Sequence, residues 1–170
     1  SGEEVIAWSQ EYNYNGASVK TISIYNNSVD NVLQDVTVYR DSVIRTSIAG
    51  LDLATLTKKS FTDYEGLVKG DEKTNYTINY KANGTTTDTR TDYFYHIAGN
   101  DSATAAEANA DSYMTKTVTT RGDATTKQVA YYTGTESGEE VIAWSQEYNY
   151  NGTSVKTISI YNNSTDNVPV

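Results

Sequence analysis

Glu11-Tyr12-Asn13-Tyr14-Asn15-Gly16-Ala17-Ser18-Val19-Lys20-Thr21-Ile22 is the stretch on which the fold turns. Two β-type runs flank Asn15-Gly16, the dipeptide best suited to a two-residue type I′ turn, because both central positions of that turn need a positive φ. With those two residues in the loop, Tyr14 falls opposite Ala17 and the remaining register follows. One face then pairs Tyr14, Tyr12, Gln10, Trp8 and Ile6 with Ala17, Val19, Thr21, Ser23 and Tyr25. The other pairs Asn13 with Ser18, Glu11 with Lys20, Ser9 with Ile22 and Ala7 with Ile24. The first face is aromatic and the second carries an ion pair, the kinds of cross-strand pair that contribute about 0.2 to 1 kcal/mol each.

The same construction recurs along the chain. Around Asn83-Gly84 it sets Tyr80 against Thr87, Ile78 against Thr89, Tyr76 against Thr91 and Thr74 against Tyr93. Asn151-Gly152 forms a third turn, because residues 137–168 repeat residues 1–32 with 30 of 32 positions identical, only Ala17/Thr153 and Val29/Thr165 differing. That period is 136 residues; Gly16, Gly84 and Gly152 halve it to 68, and Gly50 in phase with Gly16 suggests 34. The chain divides into five units, 1–34, 35–68, 69–102, 103–136 and 137–170, of which 35–68 and 103–136 diverge from the others. In the fourth the turn glycine is Gly122.

Short turn-rich links such as Asn26-Asn27-Ser28 and Gly66-Leu67-Val68-Lys69-Gly70 join antiparallel neighbours, so the expected fold is all-β. It is a meander of antiparallel hairpin repeats, stacked into an extended array or fibre because each hairpin needs a neighbour to cover its edges. Two stretches resist the pattern. Residues 102–112, rich in alanine, read as a short helix or an inserted loop, and residues 46–59 read equally as helix or strand.

Composition supports strands and excludes several functions. Tyr (15) and Thr (25) are over-used as sheets require, whereas Cys is absent and Pro and Met occur once each. Without Cys there is no thiol nucleophile and no zinc site of the usual Cys/His type, and redox compartment stays open. A net charge of −9 opposes binding to nucleic acid or an anionic membrane surface, both of which need clustered Lys and Arg. No apolar run approaches the length of a membrane span and no leader pattern opens the chain. Near-identical segments at both ends suggest a piece excised from a longer array.

Catalytic constellations are nearly missing. The one histidine, His96, follows Tyr93-Phe94-Tyr95 in a strand and reads as structural. No nucleophile-elbow motif accompanies it, so catalytic, cofactor-binding and metal-binding residues are all expected to be none. Acidic pairs at Glu3-Glu4, Asp71-Glu72 and Glu139-Glu140 recur at one repeat phase and read as solvated links. A calcium site drawing on Asp30, Asn31, Asp166 and Asn167 lacks any recognised loop spacing. Arg121-Gly122-Asp123 matches an integrin-binding tripeptide but reads more simply as a hairpin tip. Asn-x-Ser/Thr sequons beginning at Asn26, Asn75, Asn83, Asn100, Asn151 and Asn162 are candidate glycosylation sites. The expected aromatic face comprises Trp8, Tyr12, Tyr14 and Tyr25 in the first unit and Tyr76, Tyr80 and Tyr93 in the third. Trp144, Tyr148, Tyr150 and Tyr161 complete it in the fifth.

Glu11-Tyr12-Asn13-Tyr14-Asn15-Gly16, Asn79-Tyr80-Lys81-Ala82-Asn83-Gly84 and Glu147-Tyr148-Asn149-Tyr150-Asn151-Gly152 resemble the Tyr-Asp (YD) repeats of RHS-type proteins. They are also similar to the Tyr/Thr-rich hairpin arrays of very large bacterial surface proteins. The resemblance implies a secreted or surface-displayed β-sheet that lengthens with repeat number. It covers about half of the chain, and Asn13 or Lys81 stands where the motif has Asp, so the toxin-enclosing shell of RHS proteins is not carried over. The expected function is a structural protein of an extracellular filament, sheath or cell-surface stalk, used in adhesion. Its partner is its own kind, by self-association or chain continuation, with glycans as further ligands. The alternative is a carbohydrate-binding β-module that uses exposed aromatics.

Overall fold

The computed structural model describes residues 4–163. Among these, eleven antiparallel strands form one open sheet. They are β1 (Trp8–Tyr12), β2 (Val19–Asn27), β3 (Leu33–Arg40), β4 (Thr57–Glu65), β5 (Lys73–Tyr80) and β6 (Thr87–Ile97), followed by β7 (Asn100–Ala103), β8 (Met114–Arg121), β9 (Thr126–Thr133), β10 (Val141–Tyr148) and β11 (Val155–Ile160). Spatial order follows sequence order throughout, except that the short β7 folds back on the end of β6 and β8 takes the next place in the sheet. The expected meander is therefore present, and β1 and β11 are its two edges.

The sheet is essentially one layer thick. Its accessible surface of 10648 Å² exceeds the roughly 8,300 Å² expected for a compact globule of this mass, so much apolar surface stays half-covered. Two excursions supply what second layer there is. The segment 41–56 leaves β3, carries a single 3-10 turn at Leu53–Thr55, and returns as β4. On the way it crosses to β1, where Gln10 Nε2 donates to Val43 O (2.8 Å) and Arg45 N donates to Gln10 Oε1 (2.9 Å). This strap is pinned by Arg45 and the buried Asp41, 2.7 Å apart. It spans Ile22, which lies between Gln10 and Tyr39 across the strands and is fully buried. The second excursion, 104–112, is a looped insertion rather than a helix, closed by Thr104 N and Oγ1, which both donate to Glu107 Oε2. Around it Tyr95, Ala103, Ala105 and Ser112 are buried. Of the 46–59 stretch, only residues from Thr57 onward are strand.

The turn chemistry differs from expectation. Asn15-Gly16 is not a two-residue type I′ loop: Gly16 has φ +67, while Asn15 is not among the residues with positive φ. Gly16 N donates to Asn13 O and Asn13 N to Ser18 O, so four residues, Tyr14 to Ala17, make the loop. The Asn15 side chain caps it by accepting from Ala17 N at 3.0 Å, an Asx-type bond that lets Asn keep an ordinary φ. Asn83-Gly84 and Asn151-Gly152 repeat every one of these backbone bonds, through Lys81/Thr86 and Asn149/Ser154. The two-residue loop occurs instead at Ala98-Gly99, where both φ values are positive.

Register is also corrected. Tyr12 does face Val19, but a β-bulge follows, and beyond it Glu11 pairs with Thr21, Gln10 with Ile22, Ser9 with Ser23 and Trp8 with Ile24. Lys20 is the extra residue, and one extra residue moves every later side chain of that strand to the other face. The Glu11–Lys20 ion pair survives at 3.4 Å because the bulged residue still leans toward its neighbour, and Glu11 also accepts from Thr21 Oγ1. Asn79 and Tyr80 show the same irregularity against β6, as do Glu147 and Tyr148 against β11.

Candidate functional site

The bulges divide the aromatic residues between two faces. Following the register from strand to strand, one face runs Trp8, Ile24, Thr37, Phe61, Ile78, Arg90, and continues through Phe94, Lys116 and Tyr131 to Trp144. Its rings pair with cations and with one another: Arg90 lies 3.9 Å from the Tyr76 ring, Lys116 4.8 Å from Phe94, Lys58 6.0 Å from Tyr80, and Tyr131 stacks on Trp144 at 4.2 Å. Tyr12 and Tyr148 belong to this face through their pairing with Val19 and Val155.

The opposite face is a hydroxyl ladder. Tyr25, Val36, Thr62, Thr77, Thr91, Thr119 and Gln128 succeed one another across seven strands. Thr62 and Thr77 share a hydrogen bond of 3.0 Å, Thr91 and Thr119 one of 2.9 Å, and Tyr25 reaches Ser9 at 3.4 Å. Tyr93 lies here too, 3.5 Å from Thr77, and Tyr64 between them has its hydroxyl pKa raised by burial and by neighbouring Tyr93 and Tyr25. Tyr161, the counterpart of Tyr25, is exposed. Tyr14 and Tyr150 belong to neither face; they stand out from the loop tips, Tyr150 with the Arg121 guanidinium 5.4 Å from its ring. A single aromatic platform is thus replaced by an aromatic and cationic face, a hydroxyl face and two exposed tips.

The acidic pairs hold more structure than a solvated link. Glu72 Oε2 accepts from Gly70 N at 2.7 Å and Oε1 from Leu33 N at 2.9 Å. Glu140, 68 residues on, accepts from Gly138 N at 2.9 Å and from Met114 N at 2.6 Å. In both cases the carboxylate just before a strand ties its own turn to the first amide of the strand two places back, passing the exit of the strand between. The exit turn makes room with a glycine: a Cβ on Gly66 would lie 3.0 Å from Glu72 Cα, and one on Gly134 3.3 Å from Glu140 Cα. Burial pushes the Glu72 carboxyl up, but the amides of Leu33, Glu72 and Gly70 outweigh it and hold the group below the usual range. The clue in the sequence was the recurrence of Gly-x-x-x-Gly-x-Glu at 66–72 and 134–140 with the same spacing.

The remaining candidates are placed as follows. His96 Nδ1 lies 2.5 Å from Asp101 Oδ1, and its ring stacks on Tyr113 at 4.7 Å. The expected tip is shifted by one residue: Arg121 ends β8 and Gly122-Asp123-Ala124 make the three-residue loop, with Arg121 drawn inward to donate to Thr126 O and Tyr148 O and Asp123 accepting from Thr125. Sequon residues Asn26, Asn83, Asn100, Asn151 and Asn162 are exposed and Asn75 is half-buried. The amide nitrogens of Asn26, Asn75 and Asn83 already donate, to Asp35, Asp63 and Thr86. Among the described residues no cluster of His, Cys, Asp or Glu is grouped to hold a metal ion, and no helix is long and apolar enough to cross a membrane. Asp166 and Asn167, invoked for a calcium site, lie outside the described residues.

What the geometry does concentrate is pairing capacity at the two edges. The first hairpin leaves β1 open and pairs through β2 with β3, whereas its near-identical copy pairs through β10 with β9 and leaves β11 open. No family model, curated protein or solved structure matches the chain.

Proposed function

We propose that the chain is a non-enzymatic structural module of an extracellular filament, sheath or cell-surface stalk, whose β-meander lengthens repeat by repeat in one direction. One observation carries this reading: the two open edges belong to copies of a single hairpin, each copy bonded on the side that the other leaves free. Such an arrangement is heterologous and does not close, so it propagates in one dimension. The thin sheet agrees, because a repeat of this kind is stabilised by nearest neighbours rather than by a central core. The staples at Glu72 and Glu140 link strands two apart and so resist separation of strands along the direction of growth.

Eight strand steps separate β1 from its counterpart β10, which at 4.8 Å per step gives an axial rise of about 38 Å per 136 residues. At the usual inter-strand twist of about 20 to 25° the sheet turns by roughly half a revolution over that distance. Negative-stain images and small-angle scattering of a chain carrying several 136-residue periods test this. A rod whose length grows by about 38 Å per added period supports the proposal, and a compact particle whose dimensions grow as a globule sinks it.

A second reading, a glycan-binding surface, draws on Tyr14 and Tyr150, both exposed at loop tips. Binding to a glycan array that disappears in the Tyr14→Ala, Tyr150→Ala double variant would favour it. For either reading His96→Ala should leave function intact, since the imidazole serves its contacts with Asp101 and Tyr113.

A further inference from the structure

Residues 155–161 repeat residues 19–25 without a change, and the two hairpins that carry them are the same object in space. Both have the bulge at the equivalent place, the same pairs on either side of it, and the same loop bonds. Their surroundings differ. Val19 and Ile22 are 3% and 0% exposed, whereas Val155 and Ile158 are 42% and 57% exposed and Ile160 is 78%. What separates the two environments is the segment 33–56: β3 pairs with β2, and the strap reaches over to Gln10. Gln146, the counterpart of Gln10, has no such strap and accepts instead from Tyr148 Oη at 3.3 Å.

We infer that the outer edge of β11 is a docking site for a second copy of the segment 33–56, taken up in the register that β2 uses for β3. Thr157 then pairs with Arg40 of the incoming segment, Ile158 with Tyr39, Ser159 with Val38 and Ile160 with Thr37, as Thr21, Ile22, Ser23 and Ile24 do here. Lys156 O accepts from the incoming Asp41 N, as Lys20 O does within the chain, and Gln146 takes the strap through its Val43 O and Arg45 N. The strap brings its own lock, because Asp41 and Arg45 lie within the docking segment and need nothing from the acceptor.

The opposite side of the duplicated hairpin supports the same assignment. Ser145 on β10 is 2% exposed with β9 beside it, and Trp144 stacks on Tyr131, whereas Ser9 and Trp8 on the β1 edge have β2 on one side only and remain half-buried. A hairpin flanked by β9 on one side and β3 with its strap on the other combines the two environments seen here separately. The exposed apolar edge is a liability unless something covers it. The segment that covers the identical edge 136 residues earlier is the complement already present in the molecule.

This inference rests on the array reading and specifies its junction. The test uses the chain 1–168 extended by a second copy of 33–56, beside the 170-residue chain and an extension of scrambled sequence. Ile158→Cys in each reports burial through its rate of thiol labelling. The authentic extension should slow labelling by roughly a hundredfold or more, the protection expected of a site that reacts only on local opening. The other two chains should label freely. Hydrogen exchange over 155–161 in the unsubstituted extended chain should show the same protection, so the result does not hang on tolerance of the cysteine. Equal labelling and exchange in all three chains would overturn the assignment, as would concentration-dependent protection of the unextended chain, the mark of edge-to-edge pairing between two copies of β11. Length measurements on multi-period chains separate the two levels: an elongated rod without protection at Ile158 removes only the docking register, and a compact particle removes the array.

Discussion

Replacing Glu72 with Ala should loosen the sheet at one identifiable place. The carboxylate accepts two backbone hydrogen bonds, from Gly70 N and Leu33 N, and the second crosses from the start of β5 to the start of β3. Bonds to an ionised acceptor contribute about 1.5 to 3 kcal/mol each. Glu72 is only half-buried, and water replaces part of what is lost, so the expected cost is about 2 to 4 kcal/mol for the pair. For a chain of this length that lowers the unfolding midpoint by roughly 5 to 15 °C. Glu72→Gln keeps one acceptor oxygen and should fall between the two. The pH dependence has a definite sign. Because the folded carboxyl is held below its ordinary value, its stabilisation is complete above the unfolded carboxylate pKa and is lost as pH falls through the folded one. The variants should therefore differ from the parent at neutral pH and converge with it in acid. Thermal melts across pH, with amide exchange read at Leu33, check both statements. If Glu72→Ala leaves the Leu33 amide protected at neutral pH, the staple is not what holds β3 to β5.

Glycine substitutions should rank by contact rather than by sequence. Gly16→Ala meets no atom within 4 Å and bears only left-handed backbone strain of about 1 to 2 kcal/mol. Gly152→Ala, in a context that differs nearby only by Thr153 for Ala17, brings a Cβ to 2.7 Å from Thr126 N and should cost measurably more in a urea melt. At Gly122 the reason is again close approach, since an added Cβ would lie 2.3 Å from Thr87 O; Gly122→Ala should destabilise by roughly 2 to 4 kcal/mol and weaken pairing of β6 with β8. Asp41→Asn should release the strap, because it removes the buried carboxylate that accepts from the Arg45 guanidinium and from Val43 N. Its readout is labelling of Ile22→Cys, which should turn from slow to fast. In the parent the same release is expected on acidification, because the hydrogen bond from Arg45 holds the Asp41 carboxyl below its usual range and protonation removes it.

The antiparallel meander was legible because its signals are local. Asn-Gly corners, short links and alternating Tyr and Thr each act over a few residues, and they agree with one another along the chain. The turn type was misread for an equally local reason: Asn15 has a side chain that accepts from Ala17 N, which stabilises a four-residue loop as readily as a positive φ would stabilise a two-residue one. Lys20 gave no sign that it would stand unpaired, since a bulge adds one residue without changing composition. From that residue the side chains of the second strand changed faces, which took Tyr25, and at the equivalent place Tyr93, away from the other tyrosines.

By itself the sequence determined that the chain folds into repeated hairpins, and that its two ends carry the same one, because identity and turn chemistry are written residue by residue. Only tertiary structure decided which face each tyrosine takes, that Glu72 and Glu140 are fastenings, and which side of each duplicate is left bare. Those properties belong to strands brought together from well apart in sequence, 39 residues for Leu33 and Glu72 and 26 for Met114 and Glu140, or left without a further neighbour, as with β11. Identical segments can therefore sit in different energetic states, one with its isoleucine wholly covered and one with the same isoleucine in water.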